Sequence, residues 1–225
     1  LNSISDPMVE ISKIARELPK FNIKLLAPHL MKSDMEFNIE GNDIRFGLTS
    51  IKGIAEKSIE ALQSFKDQYS NKFEVFQGAN EAGIGIGILS SLIQAGALEG
   101  TFNKPRSYMV AEAQLWNILT DREKRYAFEV GSSKEYDLRE IVGMMNKDFA
   151  NWYYENALLG YTHGRKLKEV HQDYSHLDSV EDCLDRRANS RVNFIGTVEE
   201  VLGTGKSKKG NGWFKIQVKD ESSTC

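Results

Sequence analysis

Lys52-Gly53-Ile54-Ala55-Glu56-Lys57 is the stretch of this chain best suited to hold an anion. One apolar stripe, Leu48 and Ile51, runs into it, and a second, Ile59, Leu62 and Phe65, leaves it at helical spacing. That spacing predicts two short helices joined by a tight turn, with Gly53 letting the chain reverse where a Cβ would obstruct it. The second helix then starts with its first backbone N–H groups pointing outward, where they can hold a phosphate oxygen. Lys52 and Lys57 flank that point with positive charge. A plain connection between two packed helices fits the same residues.

A second basic patch lies further on. From Val201 to Lys219 there are five lysines (Lys206, Lys208, Lys209, Lys215 and Lys219) and no acid, with Trp213 and Phe214 among them. Lysines neutralise phosphates with salt-dependent affinity, and an exposed Trp213 can stack on a base, an interaction worth roughly 1–3 kcal/mol. The plainer account is a solvated hairpin loop with Phe214 in the core. Both can hold, because alternation along a strand sends Trp213 and Phe214 to opposite faces. Between the two patches, Gly96 in Ala95-Gly96-Ala97 marks another turn, whose acidic flank Leu98-Glu99 favours a structural role. Lys104 and Arg106 nearby are better phosphate candidates, with a solvated loop as the alternative.

Other motifs fall away on spacing. Gly203-Thr204-Gly205-Lys206-Ser207 ends like a phosphate-binding loop, but Glu200 stands where that motif needs a glycine, and no helix pattern follows. Gly83, Gly85 and Gly87 do not have the dinucleotide-binding spacing. His163, His171, His176 and Cys183 match no compact zinc ligand set. Gln114-Leu115-Trp116 lacks the apolar-aromatic pair of a sliding-clamp peptide and reads as ordinary helix.

The elements that must carry these residues are mainly helical. Met8, Ile11, Ile14, Ala15 and Leu18 make one face of a helix over residues 1–20, ended by Pro19. An extended segment follows through Pro28 and Asn38. The two turns and their helices fill about 44–119, the last helix starting near Asn103 to Pro105 and running through Tyr108, Ala111, Leu115 and Ile118. Residues 120–150 are charged and poorly patterned, with a loop at Gly131-Ser132-Ser133, and helix resumes at 137–162. From Ser190 the period becomes two. Val192, Phe194 and Val198 share a face, Phe214, Ile216 and Val218 form a second run, and Gly210-Asn211-Gly212 turns between them. Two strands make no stable sheet by themselves, so residues 190–220 are expected to be poorly covered or docked on the helical part.

Net charge is −3 over 225 residues, so any nucleic-acid contact must come from local patches rather than a basic surface. Cys183 and Cys225 form no motif, which fits a reducing cytoplasm. No signal peptide is visible. The longest uncharged stretch, Ala82 to Leu98, carries four glycines and reads as a buried helix with its lead-in, not a membrane span.

Taken in order, Phe21-Asn22-Ile23-Lys24-Leu25-Leu26-Ala27-Pro28-His29, Lys32-Ser33, Phe37, Ile44-Arg45-Phe46-Gly47-Leu48, Ile51-Lys52-Gly53 and Leu92-Ile93-Gln94-Ala95-Gly96-Ala97-Leu98 resemble the bacterial, or phage-encoded, DNA polymerase III alpha subunit. Glu155, Leu158-Leu159-Gly160-Tyr161 and His163 extend the resemblance. Arg165-Lys166-Leu167 departs from it, standing where the family has His-Pro-Leu. The resemblance implies the end of the fingers and a lead-in over 1–43, and a tandem helix-hairpin-helix domain over 44–119. A helical connector over 120–188 and the start of a truncated OB fold over 189–225 would follow. Against its usual Gly-x-Gly turn, Ala55 replaces the second glycine, adding a methyl near the phosphate and disfavouring positive φ. The implied parent reaction is template-directed nucleotidyl transfer, with Mg²⁺ held by palm carboxylates outside this chain; no catalytic residue and no cofactor is expected within it. The expected partners are duplex DNA at the hairpins, single-stranded DNA at the OB start, the rest of the polymerase and a sliding clamp, with no membrane. A start at Leu1 inside the implied fingers suggests a fragment. The rival expectations are a free-standing helix-hairpin-helix adaptor and a protein-interaction module with no DNA role.

Overall fold

Pro19 ends the first helix as expected. α1 spans Pro7–Glu17, and the chain continues only as a short 3-10 turn, Leu18–Phe21, because a proline ring cannot sit inside an α-helix without meeting the carbonyl one turn back. Met8, Ile11, Ala15 and Leu18 lie half-buried, whereas Ile14 is exposed. The computed structural model describes residues 7–102, 104–130, 147–188 and 190–225, and the chain divides into two units, Leu1–His163 and Gly164–Cys225. The connector expected over 120–188 is thereby shared between them. Asn103, the loop at 131–133 and the helix start at 137–146 lie outside the described residues.

In the first unit the extended segment forms a small sheet. β1 (Leu25–Leu26) runs parallel to β3 (Asp43–Arg45), and β2 (Asn38–Glu40) pairs antiparallel with β3 on its other side. Six α-helices follow in the described residues before the chain reaches His163. α2 is Ile59–Phe65, α3 Lys72–Glu81, α4 Ile86–Gln94, α5 Arg106–Ile118 and α6 Asp121–Val130; α7, Lys147–Leu159, then closes the unit. Asn71 caps α3, its side-chain oxygen accepting from the Phe73 and Glu74 amides at 2.9 and 3.1 Å. The core gathers Phe46, Leu48, Ile51, Leu62, Phe65, Phe76, Leu92 and Leu159, all within 1% of full burial. Trp116 packs against Phe73 and Phe76. The uncharged stretch 82–98 becomes a turn and the nine-residue α4, and no helix among the described residues is long and apolar enough to cross a membrane.

The second unit holds two short helices, α8 (Leu167–Val170) and α9 (Val180–Leu184), and an antiparallel hairpin of β4 (Thr197–Lys206) and β5 (Gly212–Lys219). The Asp220 carboxylate accepts from the Val180 amide at 2.9 Å, and Glu221 from the Leu167 amide at 3.0 Å, so the end of β5 fixes the start of both helices. Two irregularities interrupt β4, between Val198 and Glu200 and between Val201 and Gly203. Each extra residue shifts the alternation by one. Val198, Val201 and Thr204 therefore pair with Val218, Ile216 and Phe214 and share a face, although they stand three apart in sequence.

Candidate nucleic-acid interface

The first expected hairpin is half helix and half turn. Residues 48–53 form consecutive turns, the Ile51 amide donating to Leu48 and the Ile54 amide to Ile51. The cause lies upstream. Leu48 and Thr49 donate their amides to the Asp34 and Met35 carbonyls, and a Cβ on Gly47 would fall 2.3 Å from the Glu36 backbone. Tied to the 34–36 segment, the chain has no room for a first helix. After the turn a 3-10 segment, Glu56–Ser58, leads into α2.

Lys52, Gly53, Ala55 and Lys57 are exposed at this turn. Gly53 adopts φ +92°, a conformation that costs a residue with a Cβ about 1–2 kcal/mol. Gly53→Ala is therefore expected to lower the unfolding free energy by that amount, read as a fall in the urea midpoint with no change in slope, its Cβ also arriving 3.3 Å from Ser91 Oγ. An unchanged midpoint would rule out the strained turn. Ala55 is different: its φ of −94° and ψ of 156° are ordinary extended backbone, so the methyl brings no strain, contrary to the expectation from sequence. Ile54 is a correction. Its side chain is buried and its amide donates to Ile51 at 3.0 Å, leaving nothing for a ligand. The Lys52 amide is also engaged, with the Leu158 carbonyl at 3.0 Å, so Lys52 offers only its ammonium group. Among the described residues, the Gly53 and Ala55 amides donate to no protein acceptor. Two free amides between two exposed lysines can hold a phosphate oxygen.

The second turn is built for closure. Gly96 sits at φ +84°, with the Ala97 amide donating to Leu92 and the Gly96 amide to Ile93, which satisfies the last carbonyls of α4. Gly96 therefore has no amide to offer a phosphate. Arg106 is likewise corrected. Its guanidinium is buried, with Nη1 donating to Glu155 Oε1 at 2.8 Å and Nη2 to Glu99. It lies flat on Gly96, where a Cβ would be 2.6 Å from Nη2. Two carboxylates already neutralise this cation, which removes it from the phosphate candidates. Lys104 remains exposed, its ammonium 5.3 Å from the Tyr108 ring centroid.

Glu155 also receives the His163 amide at 3.1 Å and lies 3.2 Å from its Nδ1. Burial holds the His163 imidazole below its ordinary value of 6.5, Glu155 and Glu99 opposing and Arg106 reinforcing the shift. A histidine whose folded value is depressed contributes stability that is fully present above about 6.5 and is lost as pH falls through the folded value. The urea midpoint should therefore drop on acidification below 6.5 more in the wild type than in His163→Gln. Parallel curves for the two proteins would contradict this.

In the hairpin of the second unit, Lys206, Lys208, Lys209, Lys215 and Trp213 are all exposed. Trp213 pairs with Gly205, and a Cβ there would meet the indole at 2.7 Å, so the ring lies across the bare backbone of β4. Lys215 and Lys219 share its face of β5. Phe214 is not in a core: it is 73% exposed, on the apolar face of a sheet that has two strands among the described residues. Ser91, which lies beside Gly53, and Leu158, whose carbonyl accepts from the Lys52 amide, stand 38 and 105 positions from Gly53, so no local sequence signal points to them.

This exposed glycine turn, with free amides and flanking lysines, leads into α2, and residues 22–109 match the helix-hairpin-helix motif family. Beyond the motif, the chain is 24% identical over 232 residues to the DNA polymerase III subunit alpha of Thermus aquaticus, covering 97% of this chain and 18% of that protein. It is 24% identical over 251 residues to the same subunit of Campylobacter jejuni, covering all of this chain and 20% of that protein. With the subunit of Aquifex aeolicus it shares 30% identity over 105 residues, 44% of this chain and 9% of that protein. The chain is a relative of the DNA polymerase III alpha subunit, homologous to a segment of it, and spans no more than a fifth of the length of these curated relatives.

Proposed function

We propose that this chain is a DNA-binding portion of a replicative DNA polymerase, gripping the duplex by its backbone without reading sequence. The observation that carries this is the exposed turn at Gly53, with the Gly53 and Ala55 amides donating to no acceptor among the described residues and Lys52 and Lys57 exposed on either side. Backbone contacts of this kind position a protein on DNA and carry no base information. The experiment is duplex binding across a salt series, for the wild type and for Lys52→Glu combined with Lys57→Glu. Loss of affinity and a shallower slope support the site; equal curves for two folded proteins reject it.

In the same reading β4 and β5 open an OB fold that faces the template strand, and template-directed nucleotidyl transfer, with its Mg²⁺, belongs to the polymerase of which this segment is part. Trp213 on a face shared with Lys215 and Lys219 supports single-strand contact there. Trp213→Ala should weaken oligothymidine binding by roughly 1–3 kcal/mol, the worth of one stacked base, while leaving duplex binding at the first unit unchanged. Equal single-strand affinity of the two proteins would remove the stacking role.

A further inference from the structure

We propose that the buried Arg106–Glu155 pair is a positioning device for the Gly53 turn, an inference that rests on reading this turn as a phosphate site. The turn is bonded to one helix and lies against another. Its Lys52 amide donates to the Leu158 carbonyl at the end of α7, and Gly53 lies against Ser91 of α4. Arg106 ties the same two helices together. Its Nη1 donates to the Gln94 carbonyl at the end of α4 (3.2 Å) and to Glu155 of α7 (2.8 Å). Ser91 and Gln94 are one helical turn apart, as are Glu155 and Leu158. Each contact of the glycine turn therefore sits one turn from a hydrogen-bond partner of the guanidinium. The spacing of α4 and α7 set by Arg106 is the spacing that aims the Gly53 and Ala55 amides. Hydrogen bonds weaken steeply as distance and angle drift, so slack between these helices is felt at a bound phosphate without any change in the charges that meet it.

The test uses the full 225-residue chain. Arg106→Met combined with Glu155→Met removes the pair without leaving one charge buried alone, and Glu155→Gln is the milder variant should the double one fail to fold. Two readouts are taken: hydrogen exchange of the Lys52 amide, and affinity for a short duplex across salt. The expected result is faster exchange at Lys52 with protection of the α4 and α5 core amides retained. Duplex affinity should fall about tenfold, the worth of one hydrogen bond to a charged group, at an unchanged salt slope, since Lys52 and Lys57 still neutralise their phosphates. Wild-type exchange at Lys52, or wild-type affinity, in a folded variant overturns the proposal. So does a uniform loss of protection across the unit in both variants, which marks the pair as general support. A wild type with no salt-dependent duplex binding defeats the phosphate reading itself, and the Lys52 exchange rate then still decides whether the pair holds the turn.

Discussion

Replacing Lys52 and Lys57 together by glutamate is expected to weaken duplex binding about 100-fold at low salt, from the loss of two charge-assisted contacts of about 1.5 kcal/mol each. Both side chains are exposed and neither carries a structural contact of its own, Lys52 being held through its backbone amide. The fold should therefore survive, and circular dichroism with an unchanged unfolding midpoint checks that it does. The plot of log affinity against log salt should become shallower by about 2, since each phosphate neutralised contributes about 0.9 to the slope. Glu56 already places one negative charge between the two lysines, so the double reversal turns a weakly positive rim into a strongly negative one. Lysine at both positions with glutamine at 56 should shift affinity the other way. A double variant that binds like the wild type would mean that the strand runs elsewhere on the protein.

Arg106→Leu is expected to destabilise the first unit by about 3–5 kcal/mol, because it leaves the Glu155 carboxylate buried without its main cation. Glu155 is 2% exposed and cannot turn to water. A domain typically has about 5–15 kcal/mol in total, so the variant should lose roughly a fifth or more of its margin, read as a fall in the urea midpoint at constant slope. The paired Met substitutions at 106 and 155 should recover most of this, since replacing both partners removes the unpaired charge. A loss of unfolding free energy for Arg106→Leu no larger than the roughly 0.5 kcal/mol of ordinary surface substitutions would mean that Glu155 is reached by solvent.

Local patterns were the legible part of this chain. Pro19 as a stop, the stripe of Ile59, Leu62 and Phe65, the turn at Gly96 and the hairpin near residue 211 all follow from contacts within a few residues, and all stand in the structure. The ordered series of short motifs pointed to the polymerase family, which matches along 97% and 100% of this chain support. What escaped was non-local. The helix expected before Gly53 is absent because Leu48 and Thr49 are bonded to residues 34 and 35. Arg106 looked like a surface cation since nothing in its neighbourhood of sequence reveals Glu155, 49 positions away. Ala55 seemed a handicap until its backbone proved extended. In β4 the two irregularities convert a period of two into steps of three, so Val201 and Thr204 carry no strand signature that alternation would detect.

The indole lying across Gly205 has a practical consequence. Of three tryptophans, Trp116 and Trp152 are 6% and 3% exposed, while Trp213 is 46% exposed with its ring over the backbone of Gly205. Iodide, which reaches only accessible rings, should quench Trp213 selectively, giving the β4–β5 hairpin an intrinsic optical reporter that needs no label.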